Sequence, residues 1–128
     1  MRRLSFGAVR PAWLKGRQST VKGPIMKYVV TWRERPAASS RDYEAAQERV
    51  LALFKDWQMP ASLTIHQFVV RVGEYGGYMI VETDQPTDIH YVTSVFAVFE
   101  FKVEPVVDVM DAVAVEVQAI EYRKKNAP

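Results

Sequence analysis

Apolar and polar positions along this chain fall into a short succession of strand-like and helix-like patterns. Met26 to Arg33 reads MKYVVTWR, rich in β-branched and aromatic residues, and predicts a strand. Pro36 lies in the loop that follows. Ser39 then precedes Asp42 at capping-box spacing, so a helix is expected from about Ser40. Tyr43, Ala46, Val50, Leu53 and Trp57 recur at helical period and give that helix one apolar stripe, and Pro60 ends it. Thr64 to Gly73 predicts a second strand, Gly76-Gly77 a turn, and Tyr78 to Thr83 a third strand. Pro86-Thr87-Asp88 opens a shorter helix, to about Phe96 or Val98. Phe101 to Val107 predicts a fourth strand, and Val109, Val113, Val117 and Ile120 mark a final helix.

The order β-α-β-β-α-β-α begins with the ferredoxin-like βαββαβ plan and adds a C-terminal helix. An α+β fold with an antiparallel sheet follows. A turn centred on residues 74–77 sets Gly73 opposite Tyr78, Val72 opposite Met79, Val70 opposite Val81 and Phe68 opposite Thr83. Opposed residues share a face. That face is apolar, extends to Phe101 and Val103, and is expected to floor the helices. The other face carries Gln67, Val69, Arg71, Tyr78, Ile80 and Glu82, joined by Glu100, Lys102 and Glu104. It is too mixed for a core and too apolar for a plain solvated surface. It is expected to meet a second subunit or line a cleft, with an ordinary water-facing sheet as the simpler alternative.

A length of 128 residues suits one domain able to bury a real core. The absence of cysteine excludes disulfides, thiolate metal sites and a cysteine nucleophile. Charge changes the picture more. Residues 1–25 carry six basic side chains and no acid, which leaves eleven basic against 15 acidic residues from Met26 onward. The pI of 8.9 therefore describes the arm, while the body is acidic. No nucleic-acid partner is expected, and no stretch reaches membrane-spanning length, so a cytoplasmic location is expected. The arm, 1–25, reads as upstream reading frame ahead of a natural start at Met26, as a disordered basic arm, or as a targeting segment. Purines encoding Lys22-Gly23, of the ribosome-binding type, favour the first. A peptide from residues 1–22 in a mass spectrum of the natural protein would contradict it. The folded domain is expected over 26–125.

Few residues invite chemistry. His66, at the start of the second strand and expected on the helix-facing side opposite Gln85, could be a general base or a haem ligand. The plainer reading is a half-buried histidine bonded to a helix terminus or a loop. His90 is expected to be solvated. Two histidines without a ligand pattern call for no metal. Arg71 and Glu82 are expected as diagonal neighbours, either holding an acidic ligand or forming a cross-strand ion pair. Tyr28 and Trp32 share one face of the first strand and could stack a planar ligand or belong to the core. No serine elbow and no phosphate loop is present, and no cofactor is called for.

The strings HQFVVRV, Gly76-Gly77 followed by YMIVETD, and FEFKVEPVVDV, in that order and spacing, resemble a family of small bacterial proteins. It is the domain of unknown function 3303 family, and the likeness runs from Met26 to about Arg123. The resemblance implies a dimeric α/β-barrel domain of ferredoxin-like type and a homodimer, and it implies no activity. Two functions therefore stand as expectations. The first is a homodimeric small-ligand-binding or interaction domain, with Arg71, Glu82, Tyr78, Gln67, His66 and Trp32 as candidate ligand or interface residues. The second is a small cofactor-free monooxygenase- or isomerase-like enzyme acting on an aromatic or polyketide-like substrate. It would use a cleft between sheet and helices, with His66, Tyr78 or Arg71 positioning the substrate.

Overall fold

A computed structural model describes residues 23–127. The proposals for the arm lie, apart from its last three residues, outside the described residues. The elements are β1 (Met26–Glu34), α1 (Ser40–Lys55), β2 (Thr64–Val70), β3 (Gly76–Thr83), α2 (Pro86–Val95), β4 (Phe99–Val106) and α3 (Val109–Asn126). The strands form one antiparallel sheet in the order β2-β3-β1-β4, the ferredoxin-like α+β arrangement.

Local chemistry sets the helix starts. The Ser39 side chain accepts a hydrogen bond from the Asp42 amide at 3.2 Å, satisfying one of the free donors at the head of α1. Pro86 occupies the first turn of α2, where its missing N–H costs nothing. The buried Asp88 carboxylate then fixes α2 to the sheet. It takes hydrogen bonds from the Ser62 hydroxyl and, at 2.9 Å, from Thr83 Oγ1. The core comprises Val30 and Trp32 of β1, Met79 and Val81 of β3 and Phe99 of β4, packed against Val50, Leu63, Ile89, Val92 and Phe96. The expected stripe of α1 is only partly realised. Val50 is buried, Leu53 and Trp57 pack at its margin, and Tyr43 stays exposed.

Strand pairing differs from expectation in two ways. Val70 faces Gly77, Val69 faces Tyr78 and Phe68 faces Met79, a displacement of four positions. Side chains alternate with period two, so an even displacement leaves each on its expected face. The turn lies earlier than the double glycine. The Arg71 amide donates to the Gly76 carbonyl at 2.8 Å, which closes a loop of Val72 to Tyr75, and Gly73 takes the left-handed conformation with φ 81°. Gly76 and Gly77 are buried strand residues. They are glycines because of close approach: a Cβ on Gly77 would lie 1.9 Å from the Val69 carbonyl oxygen and 2.9 Å from Trp32 Cζ2. The second departure is a bulge at His66, between the Ile65–Val81 and Gln67–Ile80 pairs.

The two glycine roles separate experimentally. Gly77→Ala is expected to cost about 3 kcal/mol or more, because strand backbone and a packed indole must both move. Gly73→Ala, with nothing within 4 Å of the new methyl, should cost only about 1–2 kcal/mol for its left-handed backbone. Urea unfolding of the two variants checks the order. A larger loss at Gly73 would contradict the close-approach account.

Candidate functional site

The principal cavity lies between α1 and the helix-facing side of the sheet and holds about 380 Å³. Its floor is Trp32, Phe68, Val70, Met79, Phe99 and Phe101. Val50, Leu51 and Phe54 of α1 form one wall, and Val92 and Phe96 the other. Met59 and Tyr75 complete it. The sheet supplies this floor because Trp32, Gly77, Met79 and Phe101 stand in register on one face. Leu51 and Val70 line the cavity yet remain 68% and 58% exposed, so its mouth opens between α1 and β2.

The lining is almost wholly apolar, with Tyr75 and Trp32 its only polar side chains. The Trp32 indole is 7% exposed, and its Nε1 is buried with no hydrogen-bond partner. Glu34 Oε1, two residues along the same strand, is likewise buried without one. Burial, assisted by the Glu34 charge, pushes the Tyr75 phenol above its ordinary value, so it stays protonated. Aromatic rings pack edge to face around the floor, Trp32 with Phe68 at 5.9 Å and Tyr75 with Phe99 at 5.4 Å between centroids. Such a chamber can hold an apolar or aromatic body and offers few groups to do chemistry on it.

Of the residues singled out from sequence, Trp32 alone lines this cavity. The expected Arg71–Glu82 pair does not form. Arg71 lies just beyond β2 and pairs with Glu74, Nε to Oε2 at 2.7 Å, while its guanidinium carbon sits 5.1 Å from the Tyr78 ring centroid. The earlier turn brings Glu74 nearer than Glu82. Glu74 and then Tyr78 hold the Arg71 guanidinium above its ordinary value, and Arg71 holds Glu74 below its own.

His66 is also not where the alternation placed it. The bulge turns it to the opposite side, where its Nε2 lies 2.9 Å from Glu82 Oε1. Glu82 in turn stands 3.7 Å from Lys27 Nζ, which binds Asp108 Oδ1 at 2.6 Å. A chain of four charges or partial charges thus runs from the β2 edge to the head of α3. Gln67 is exposed on this open face, near Ile80. Phe68 was expected on the helix-facing floor, whereas the part played by Phe54 and Tyr75 has no local signature, because it depends on how closely α1 approaches the sheet. Among the described residues, no group of three or more His, Asp or Glu side chains is placed to hold a metal ion. No helix there is long and apolar enough to cross a membrane.

Fold and cavity together define a ferredoxin-like α+β domain with an apolar chamber under its first helix. The chain belongs to the DUF3303 family, a domain of unknown function, whose family model matches residues 26–120. Neither the curated proteins nor the solved structures contain a match to it.

The charge chain has a pH signature. Lys27 lowers the Asp108 carboxyl below its ordinary value of 3.8, first by hydrogen bonding and then by charge. A carboxyl depressed on folding stabilises the fold above its unfolded value, and that contribution is lost as pH falls through the folded value. Asp108→Asn should therefore lower Tm at neutral pH, with the difference from the parent chain shrinking as pH drops below about 4. Both groups are exposed, so the effect is small. A Tm difference that grows on acidification would contradict the pairing.

Proposed function

We propose that this domain binds a small apolar or aromatic molecule in the chamber beneath α1, without a catalytic constellation of its own. The observation that carries the reading is the 380 Å³ apolar cavity with an open mouth between Leu51 and Val70. Its volume lies at the low end of ligand pockets, roughly 300–1,000 Å³.

The enzyme alternative, a cofactor-free monooxygenase- or isomerase-like protein, would use this same chamber. The residues suggested for it, His66, Tyr78 and Arg71, are not in its lining. Binding is therefore the reading we favour.

Naphthalene is a suitable probe. Burying about 200 Å² of apolar surface is worth about 5 kcal/mol, which corresponds to a dissociation constant of about 0.1–1 mM. Calorimetric titration should show saturable binding to the full chain. Leu51→Trp and Val70→Trp place bulk at the mouth on exposed positions, so folding is retained, and each should weaken binding about tenfold. Absence of saturable heat with the parent chain, or an affinity in both variants equal to that of the parent, would overturn the proposal.

A further inference from the structure

The sheet ladder sets the chamber floor in rows that run across the strands. Gly77, Trp32 and Phe101 stand opposite one another on β3, β1 and β4, and Phe99 stands opposite Glu34 in the next row on that face. The Glu34 amide donates to the Tyr75 carbonyl at 3.1 Å, which carries the pairing one residue past Gly76 and sets Tyr75 opposite Glu34. Opposed residues share a face, so Tyr75, Glu34 and Phe99 form one row on the chamber side. Tyr75 and Phe99 both line the chamber, and their rings meet at 5.4 Å between centroids. A phenol and a carboxylate on neighbouring strands therefore stand at one end of the chamber.

The charge at this end is negative and uncompensated. Glu34 is half-buried, with one carboxylate oxygen fully covered, and among the described residues no lysine, arginine or histidine pairs with it. Arg33 stands on the open face and pairs with Glu100 at 3.2 Å, while Arg35 donates to the Ala97 carbonyl at 2.8 Å. No cation lines the chamber, and Tyr75 supplies the only hydroxyl among its lining side chains. Burial first, and then the Glu34 charge, raise that phenol above its ordinary value, so it remains a neutral group able to donate as well as accept. More than half of the lining side chains are aromatic.

Resting on the reading of the chamber as a ligand site, we propose that it selects an uncharged aromatic molecule bearing a hydroxyl group, held at the Tyr75 end, and that Glu34 turns the corresponding carboxylate away. A ligand hydroxyl can accept a hydrogen bond from the Tyr75 phenol and keep its own proton to donate, so it stays satisfied beside a carboxylate. A ligand carboxylate can only accept. It would leave water for a lining without a cation and lie near a like charge at low dielectric, and both effects oppose binding. A molecule with no polar group binds through its rings alone and forgoes the hydrogen bond. The order of affinity is thus phenol, then hydrocarbon, then carboxylate.

Three probes that share one ring system test this: naphthalene, β-naphthol and β-naphthoate. Each is titrated calorimetrically into the full chain near neutral pH, where a phenol is neutral and a carboxylate charged. β-Naphthol should bind about fivefold more tightly than naphthalene, the gain of one net hydrogen bond. β-Naphthoate should bind at least about tenfold more weakly than naphthalene. Tyr75→Phe keeps the ring against Phe99 and should erase the naphthol advantage. Glu34→Gln keeps the side-chain shape and should tighten naphthoate about tenfold. Naphthalene affinity should be unchanged in both variants, which reports that the chamber is intact. Should naphthalene bind the parent chain while naphthol binds no better, or naphthoate binds as well, this inference falls and the chamber reading stands; that order in the parent chain decides even where a variant fails to fold. A naphthol advantage that survives Tyr75→Phe, or a naphthoate affinity indifferent to Glu34→Gln, overturns the part given to that residue. With no naphthalene binding to the parent chain, both readings fall.

Discussion

Trp32 lies with its six-membered ring against the backbone of Gly77, its Cζ2 2.9 Å from where a side chain there would begin. That approach is possible because Gly77 carries no Cβ. With no Cβ in the way, the largest side chain of the sheet lies low enough to serve as floor. Its ring meets Phe99 at 5.1 Å and Phe68 at 5.9 Å between centroids, which joins three strands into one aromatic surface. A broad, flat floor under a helix that offers few large residues in return leaves space. Val50 alone on α1 is buried, while Phe54 and Leu51 stand at the edge. The chamber thus follows from an imbalance between a crowded sheet and a sparse helix.

The two sides of the sheet hold different kinds of surface. On the helix side, the lining is almost wholly apolar, which suits capture of an apolar body. On the open side, ion pairs run along and across the strands, and valine, isoleucine and tyrosine lie between them. The Lys27–Asp108 contact is the link between that side and α3. It raises the lysine above its ordinary value and lowers the carboxyl, so at neutral pH both partners are fully charged.

Much of this architecture was legible in the residues. Element order, the Ser39 cap and the helix periods are local properties, and local chemistry predicts them well. The division of the sheet into an apolar and a mixed face also held, although the register did not, because a displacement of four preserves alternation. Two errors had one source. Reading Gly76-Gly77 as a turn lengthened β2 by three residues and set Glu82 beside Arg71. The double glycine is explained by the close approach of the Val69 carbonyl and of Trp32, which lies more than 40 residues earlier and gives no local sign of its need for space. A bulge is equally silent in sequence, and it carried His66 away from the helices to Glu82. A cleft between sheet and helices was among the expectations, but its volume and its apolar lining are set by helix-to-sheet spacing and have no local signature. Periodicity marked the stripe of α3 but could not say that its own domain leaves it bare.

The claim on which the account turns is that Trp32 floors a chamber open to an apolar molecule. A two-dimensional proton–nitrogen spectrum of the uniformly nitrogen-labelled chain, recorded while naphthalene is added, tests it directly. The indole N–H of Trp32 and the amides of Leu51, Phe54 and Val70 should shift together and saturate, while those of Val29, Tyr78 and Glu104 on the open face stay in place. Shifts confined to the open face or to α3, or none at Trp32, would contradict it.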